Sequence, residues 1–484
     1  MTIKTNKFFL LSLLCLTFLW TLVICQNSLN IIREWVQLEF VYPNEEARVR
    51  AVTNKYFVPE VSIPVDVDVY YGYGTQNPRI FITVPRFDVG RPITLGTVGE
   101  DGLISGYPDY SWHDNQGRNC KGLTCVFGVT IDNCHRLWVV DTGKIGNQQK
   151  CQPQILAFDL KTDQLIYRYR VPSENFIATT RFVALVVDVR GSGPNQCSDT
   201  FVYVADLSGF GLLVVDIARD RSWRVTHPYF FPYPSRGSFF LEGESFDIMD
   251  GVLGMALSPY VEGSDRLLYF HALASTTENV VRTSLLRNDS FIEDPNANPN
   301  SINVFQAERP SQSGAEAMGD DGFLYFGLVE PPSMWSWNTS TKFSPYNFNE
   351  IAVSGELLPF PLGVNIVHNP IGHQELWVLT SNFHRAFSGN LTSDRINVRL
   401  HAGKIPAVWN TQLLHEDILL ECLVGFKAPA YITRVPSVKA DDKELQVPPS
   451  EDADFLIRYA SCHMSIKFLL YRVCVESNIS ILMS

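Results

Sequence analysis

A hairpin that recurs six times constrains this chain more than any other feature. Each copy is an apolar run, a polar turn, and a second run with a bulky residue near its start. The copies begin at Val65, Gly128, Leu185, Gly254, Ala315 and Gly363, spaced by 63, 57, 69, 61 and 48 residues. The runs are β-rich and separated by Gly, Asn, Asp or Pro, which is the pattern of two paired strands. Small and apolar residues fill both faces of the first strand, as a strand packed on both sides requires. The second strand carries the bulk, as in Leu137-Trp138, Val202-Tyr203, Leu324-Tyr325 and Leu376-Trp377. Room for two more strands follows most hairpins, most clearly at residues 155–160 and 165–169. The predicted fold is therefore all-β: a six-bladed β-propeller of four-stranded antiparallel blades, whose edges are protected by radial repetition. A row of small β-sandwiches would need linkers, and none is evident before about residue 430.

The ends of the chain differ from this middle. Lys4 and Lys7 precede an uncharged run from Phe8 to Ile24, with small residues placed for cleavage before Gln26. That is the layout of a secretory signal peptide over residues 1–25. The propeller is expected over 26–430. Residues 431–484 are charged and proline-punctuated, and read as a linker and an atypical tail. The expected location is extracellular, with no membrane contact after cleavage. The formal net charge is −12, and becomes −14 without residues 1–25, which contain no acid. An acidic surface argues against nucleic acid as a partner. The sequons at Asn288, Asn338 and Asn390 are expected glycosylation sites in an exported chain, and Asn478 begins a fourth.

Ten cysteines fit an oxidising compartment. Cys134 and Cys197 fall in the same turn of successive hairpins. Cys120 and Cys151 precede the first and third strands of one meander, which places them on its opposite side. The expected disulfides are thus Cys120–Cys151 and Cys134–Cys197. Cys125 lies inside an inner strand and is expected as a buried thiol. Cys462 and Cys474 are an expected third pair.

No HExxH, paired CxxC, P-loop or GxSxG is present. No metal and no cofactor are expected, and His271 and His384 read as strand or turn histidines. Asp66 and Asp68 alternate along one inner strand and read as a hydrogen-bonding pair rather than an acid–base pair. Glu316 interrupts the small-residue inner strand of blade five. It would face either the central channel or a buried partner.

Several segments resemble the yellow and major royal jelly protein family, in order from about Trp35 to Leu400. They include Arg79-Ile-Phe-Ile-Thr-Val-Pro-Arg86, Cys134-His-Arg-Leu-Trp-Val-Val-Asp-Thr-Gly143, Gly209-Phe-Gly-Leu-Leu-Val-Val-Asp216 and Asp250-Gly-Val-Leu-Gly-Met-Ala-Leu-Ser-Pro259. The resemblance implies a secreted six-bladed propeller. It also implies one of three roles: channel binding of a small aromatic amine or catechol, dopachrome isomerisation in melanin formation, or a non-catalytic cuticle or nutritive role. Carrying the amine site across implicates Asn365, Thr380, Ser381 and Phe383. The expectation to test is that Phe383 stacks on a ring, Glu316 meets an ammonium, and Asn365 or Ser381 adds a hydrogen bond, all at one channel mouth.

Overall fold

The computed structural model describes residues 29–72, 77–191, 197–289 and 301–405. The expected signal peptide, the tail from 431, Cys422, Cys462, Cys474 and Asn478 lie outside the described residues. Six four-stranded antiparallel sheets are present, beginning at the inner strands Asp66–Tyr70, Val126–Ile131, Phe182–Val189, Val252–Leu257, Ser313–Met318 and Pro361–His368. Each inner strand packs on those of the two neighbouring blades, and the sixth packs on the first. The chain is a six-bladed β-propeller.

The outermost strand of blade six is Asn30–Trp35, from the other end of the chain. It pairs antiparallel with Val398–Lys404. Trp35 Nε1 then donates to the Gly102 carbonyl at 2.8 Å, tying the closing strand to blade one. The hairpin repeat could not foretell this closure, because it registers only strands adjacent in sequence.

Apolar wedges fill the spaces between blades. Phe81, Leu137, Val139 and Phe158 belong to one, and Trp138, Val202, Val204 and Leu213 to the next. All eight are fully buried, each side chain contributing about 1.5–3 kcal/mol by the area removed from water. The bulky second-strand residues of the repeat are thus the wedge fillers. Trp138 keeps its indole N–H satisfied, donating to Asp132 at 2.8 Å.

Polar straps cross the same spaces near the axis. Asp66 accepts from Val67 N and from Val129 N of blade two, both at 2.9 Å. Asp68 repeats the pattern with Val69 N at 2.7 Å and Ile131 N at 2.6 Å. Cys120 is bonded to Cys151 and Cys134 to Cys197, with Cα separations of 5.4 and 6.0 Å. The second bridge joins the turns of blades two and three. Cys125 is a buried free thiol whose sulfur accepts from Arg86 N.

Candidate functional site

At one mouth of the channel, all six blades contribute to a cavity of about 290 Å³. Four phenylalanines wall it: Phe87, Phe127, Phe383 and Phe387. The Phe87 ring meets Phe127 edge-on at 5.3 Å and Phe383 at 5.8 Å. Phe87 is held by its neighbour Arg86, a fully buried guanidinium that donates to the carbonyls of Arg91, Pro92, His113, Leu123 and Thr124. Phe383 and Phe387 sit on one short helix, Phe383–Phe387.

An inserted hairpin, Ser238–Leu241 with Glu244–Asp247, packs beside that helix. Its turn residues Glu242 and Gly243 both have positive φ, as a two-residue hairpin turn demands. Phe239 and Phe246 stack at 5.3 Å and bury against Phe360. Arg385 of the helix reaches Glu242 at 3.2 Å and Glu244 at 3.1 Å.

Three charged groups line the cavity: Asp66, Arg181 and Asp250. Asp250 follows the inserted hairpin, and its chain is pinned by Gly251 N donating to Leu207 O at 2.9 Å. A side chain at Gly251 would come within 2.6 Å of the Phe230 carbonyl, so only glycine permits this path. Burial pushes the Asp250 carboxyl up to about 6, against the lowering pull of Arg181. Burial likewise raises Asp66 to about 7, opposed by its two backbone donors. No described residue donates a hydrogen bond to the Asp250 carboxylate. Arg181 stacks over Phe127 at 5.8 Å and donates to Asn147 at 2.9 Å.

Of the residues expected at this mouth, only Phe383 lines it. Glu316 points away, into a buried cluster with His271 and Glu278 between blades four and five. The register shift between Ser313 and Glu316 in its strand helps set that direction. Asn365 lies deeper in the channel and donates its amide to Val67 O, strapping blade six to blade one. Thr380 and Ser381 are fully buried, with Thr380 turned to Leu357 O at 3.3 Å. Thr380 and Ser381 therefore lie within the blade wall, and Asn365 lines the channel interior away from this mouth. His384 is buried against Phe246, and burial and the nearby Arg385 hold its ring down at about 4. Asp250, Arg181, Phe87 and Phe127 line the cavity without being candidates from the sequence. Phe87 and Asp250 nonetheless adjoin or begin the segments singled out above.

The opposite mouth is larger, about 630 Å³, and more polar, with Asp68, Tyr70, Tyr71, His135, Arg266 and His368 among its lining residues. No helix among the described residues is long and apolar enough to cross a membrane.

The family model described as Major royal jelly protein matches residues 124–413. Protein yellow of Drosophila yakuba is 32% identical over 77% of this chain and 68% of its own length. The chain belongs to the major royal jelly protein family. Among other members, protein yellow of Drosophila melanogaster is 31% identical over 77% of this chain and 68% of its own. A dopaminechrome tautomerase of the same fly is 28% identical over 81% of this chain and 85% of its own. Among solved structures, a calcium-binding regucalcin from Agrobacterium tumefaciens aligns with 58% of this chain and 90% of its own. At 13% identity and a TM-score of 0.28, that likeness is too low to bear on function.

Proposed function

We propose that this royal jelly family propeller binds a small aromatic amine or catechol derivative at its phenylalanine-walled mouth. Asp250 carries the reading: a carboxylate facing an aromatic cavity, with no described donor of its own. A ligand ammonium would complete it with a charge-assisted hydrogen bond. The cavity volume suits one or two fused rings. Phe87, Phe127 and Phe383 offer ring faces and edges, and Arg181 can donate to a catechol oxygen. Isothermal titration with dopamine, serotonin, octopamine and histamine tests this. Saturable binding of the ring-bearing amines that is lost in Asp250→Asn is expected, and no binding of any of them overturns it.

A second reading is tautomerisation of an aminochrome, favoured by the raised carboxyls of Asp250 and Asp66. Carboxyls titrating near neutrality suit general acid–base work. One carboxylate would take the proton from the ring carbon, and a carboxyl would return a proton to the quinone oxygen. The dopaminechrome tautomerase relative supports testing it. Accelerated decay of the aminochrome colour, absent in Asp250→Asn, is the expected signal.

The same reading includes export and glycosylation. The two disulfides fit an oxidising compartment, and Asn288 and Asn390 are exposed while Asn338 is half-buried. Mass spectrometry of protein from culture medium should find Gln26 as the first residue and glycans on these asparagines. An intact residue 1–25 segment would overturn export by cleavage.

A further inference from the structure

Between blades four and five lies a cluster of fully buried side chains beside the channel, one of whose lining residues is Glu316. His271 stands on the second strand of blade four, Leu267–Ala272. Its Nδ1 is 3.1 Å from a carboxylate oxygen of Glu278 and 3.1 Å from one of Glu316. All three side chains have zero exposure. The ring lies directly over Gly254 of the inner strand, where any Cβ would sit 2.2 Å from it. Blade four therefore leaves its inner wall bare at the one place that admits this imidazole.

The tautomer follows from the partners. His271 Nε2 is 3.0 Å from the Gly314 carbonyl, which can only accept, so Nε2 carries the hydrogen. The Nδ1 lone pair of a neutral ring would then face two carboxylates, so a proton or a metal ion must lie between them. A proton on Nδ1 serves only one line, toward Glu278. It leaves both oxygens of Glu316 without a donor. Arg309 engages Glu278 Oε2, and Glu278 Oε1 is left without a partner as well. Three fully buried carboxylate oxygens thus lack donors, each a large desolvation cost if left so.

We propose that His271, Glu278 and Glu316 form a structural site for a divalent transition-metal ion of the zinc class. Nδ1, Glu278 Oε2 and Glu316 Oε2 make three donors, and Glu316 Oε1, at the short bite of a chelating carboxylate, makes a distorted fourth. One ligand atom from each residue lies within 4.8 Å of the others. Tetrahedral ligation at about 2.0–2.1 Å sets donors roughly 3.4 Å apart, so the 3.1 Å separations need open only slightly. Arg309 offsets one of the two carboxylates, so a divalent ion would leave the cluster with a single net positive charge, and an imidazole whose other nitrogen donates to a backbone carbonyl is the usual outer-shell arrangement of a metal-bound histidine. The ion would tie the second strand of blade four to the inner strand of blade five.

The test is metal content of the purified full-length protein, grown with zinc or with cobalt(II) in the medium. Because the site is closed, the ion should enter during folding and resist native dialysis against a chelator. About one equivalent per chain is expected, released on denaturation. Cobalt-grown protein should show the visible absorption of a four-coordinate site. Glu316→Gln and Glu278→Gln, near-isosteric and checked for folding by circular dichroism, should each hold less than about a tenth of an equivalent, and His271→Ala likewise. Folded wild type with less than about a tenth of an equivalent from either medium overturns the proposal. An imidazolium at His271, seen by nitrogen-15 NMR, would then show that a proton fills the site. Equal metal in wild type and Glu316→Gln overturns it too, since the ion would then be bound elsewhere.

Discussion

The mouth around Asp250 and the junction around Glu316 each hold a carboxylate that no described residue satisfies by hydrogen bonding, yet they differ in access. Asp250 borders a cavity open to solvent at the end of the channel, whereas Glu316 is sealed between two blades. An undonated carboxylate in an open cavity can wait for a ligand, because water serves it meanwhile. A sealed one must take up a proton or carry its own cation from the moment of folding. The contrast teaches that residue type alone does not assign a role here. Asp66 and Asp68 make the same point, since backbone donors across the blade junction supply what Glu316 lacks.

The comparison breaks most readily through stability. His271→Ala removes the only imidazole from a fully buried cluster and leaves two carboxylates to a single arginine. It should cost about 3–5 kcal/mol in denaturant unfolding. Asp250→Asn, by contrast, should leave the melting temperature nearly unchanged. If the two variants lose equal stability, Asp250 is a structural group and the distinction fails.

Binding reverses the order. Asp250→Asn should weaken amine affinity by about 1.5–3 kcal/mol, tenfold or more by titration, through loss of a charge-assisted hydrogen bond. Glu316→Gln should leave that affinity within about twofold. A large affinity loss in Glu316→Gln would return Glu316 to the ligand site. Phe383→Ala should have a smaller effect, about 1 kcal/mol from lost ring packing, read in the same titration.

The smallest expected effect is the pH dependence near neutrality. Asp250 titrates at about 6 and is ionised above that value, so amine affinity should fall as pH falls. Between pH 7 and 6 the loss through Asp250 is about twofold, and it steepens below. Asp66, raised to about 7 and lining the same cavity, extends the decline to higher pH. An affinity that stays level from pH 8 to 5, titrated at constant salt, would show that neither carboxylate meets the ligand's charge.

The repeat of apolar inner strand, turn and bulky second strand was enough to place six blades and every inner strand. Those signals are local, set by side-chain volume and alternation within about twenty residues of chain. The pairs Cys120–Cys151 and Cys134–Cys197 were legible for a related reason, since hairpin topology fixes which turns share a face. The closing strand Asn30–Trp35 was not legible, because its partner lies at the other end of the chain. The site residues were only partly so. Phe383 reached the mouth through its short helix, but Thr380 and Ser381, three and two positions earlier, turned into the wall. Sequence determined which residues make strands and which of those are buried. Tertiary structure alone decided which carboxylates meet donors: Val129 and Ile131 of the next blade serve Asp66 and Asp68, and Arg309, 31 residues along the chain, serves Glu278. Electrostatic fate in a low-dielectric interior depends on distances of a few ångströms between segments tens of residues apart, and no pattern within one segment encodes them.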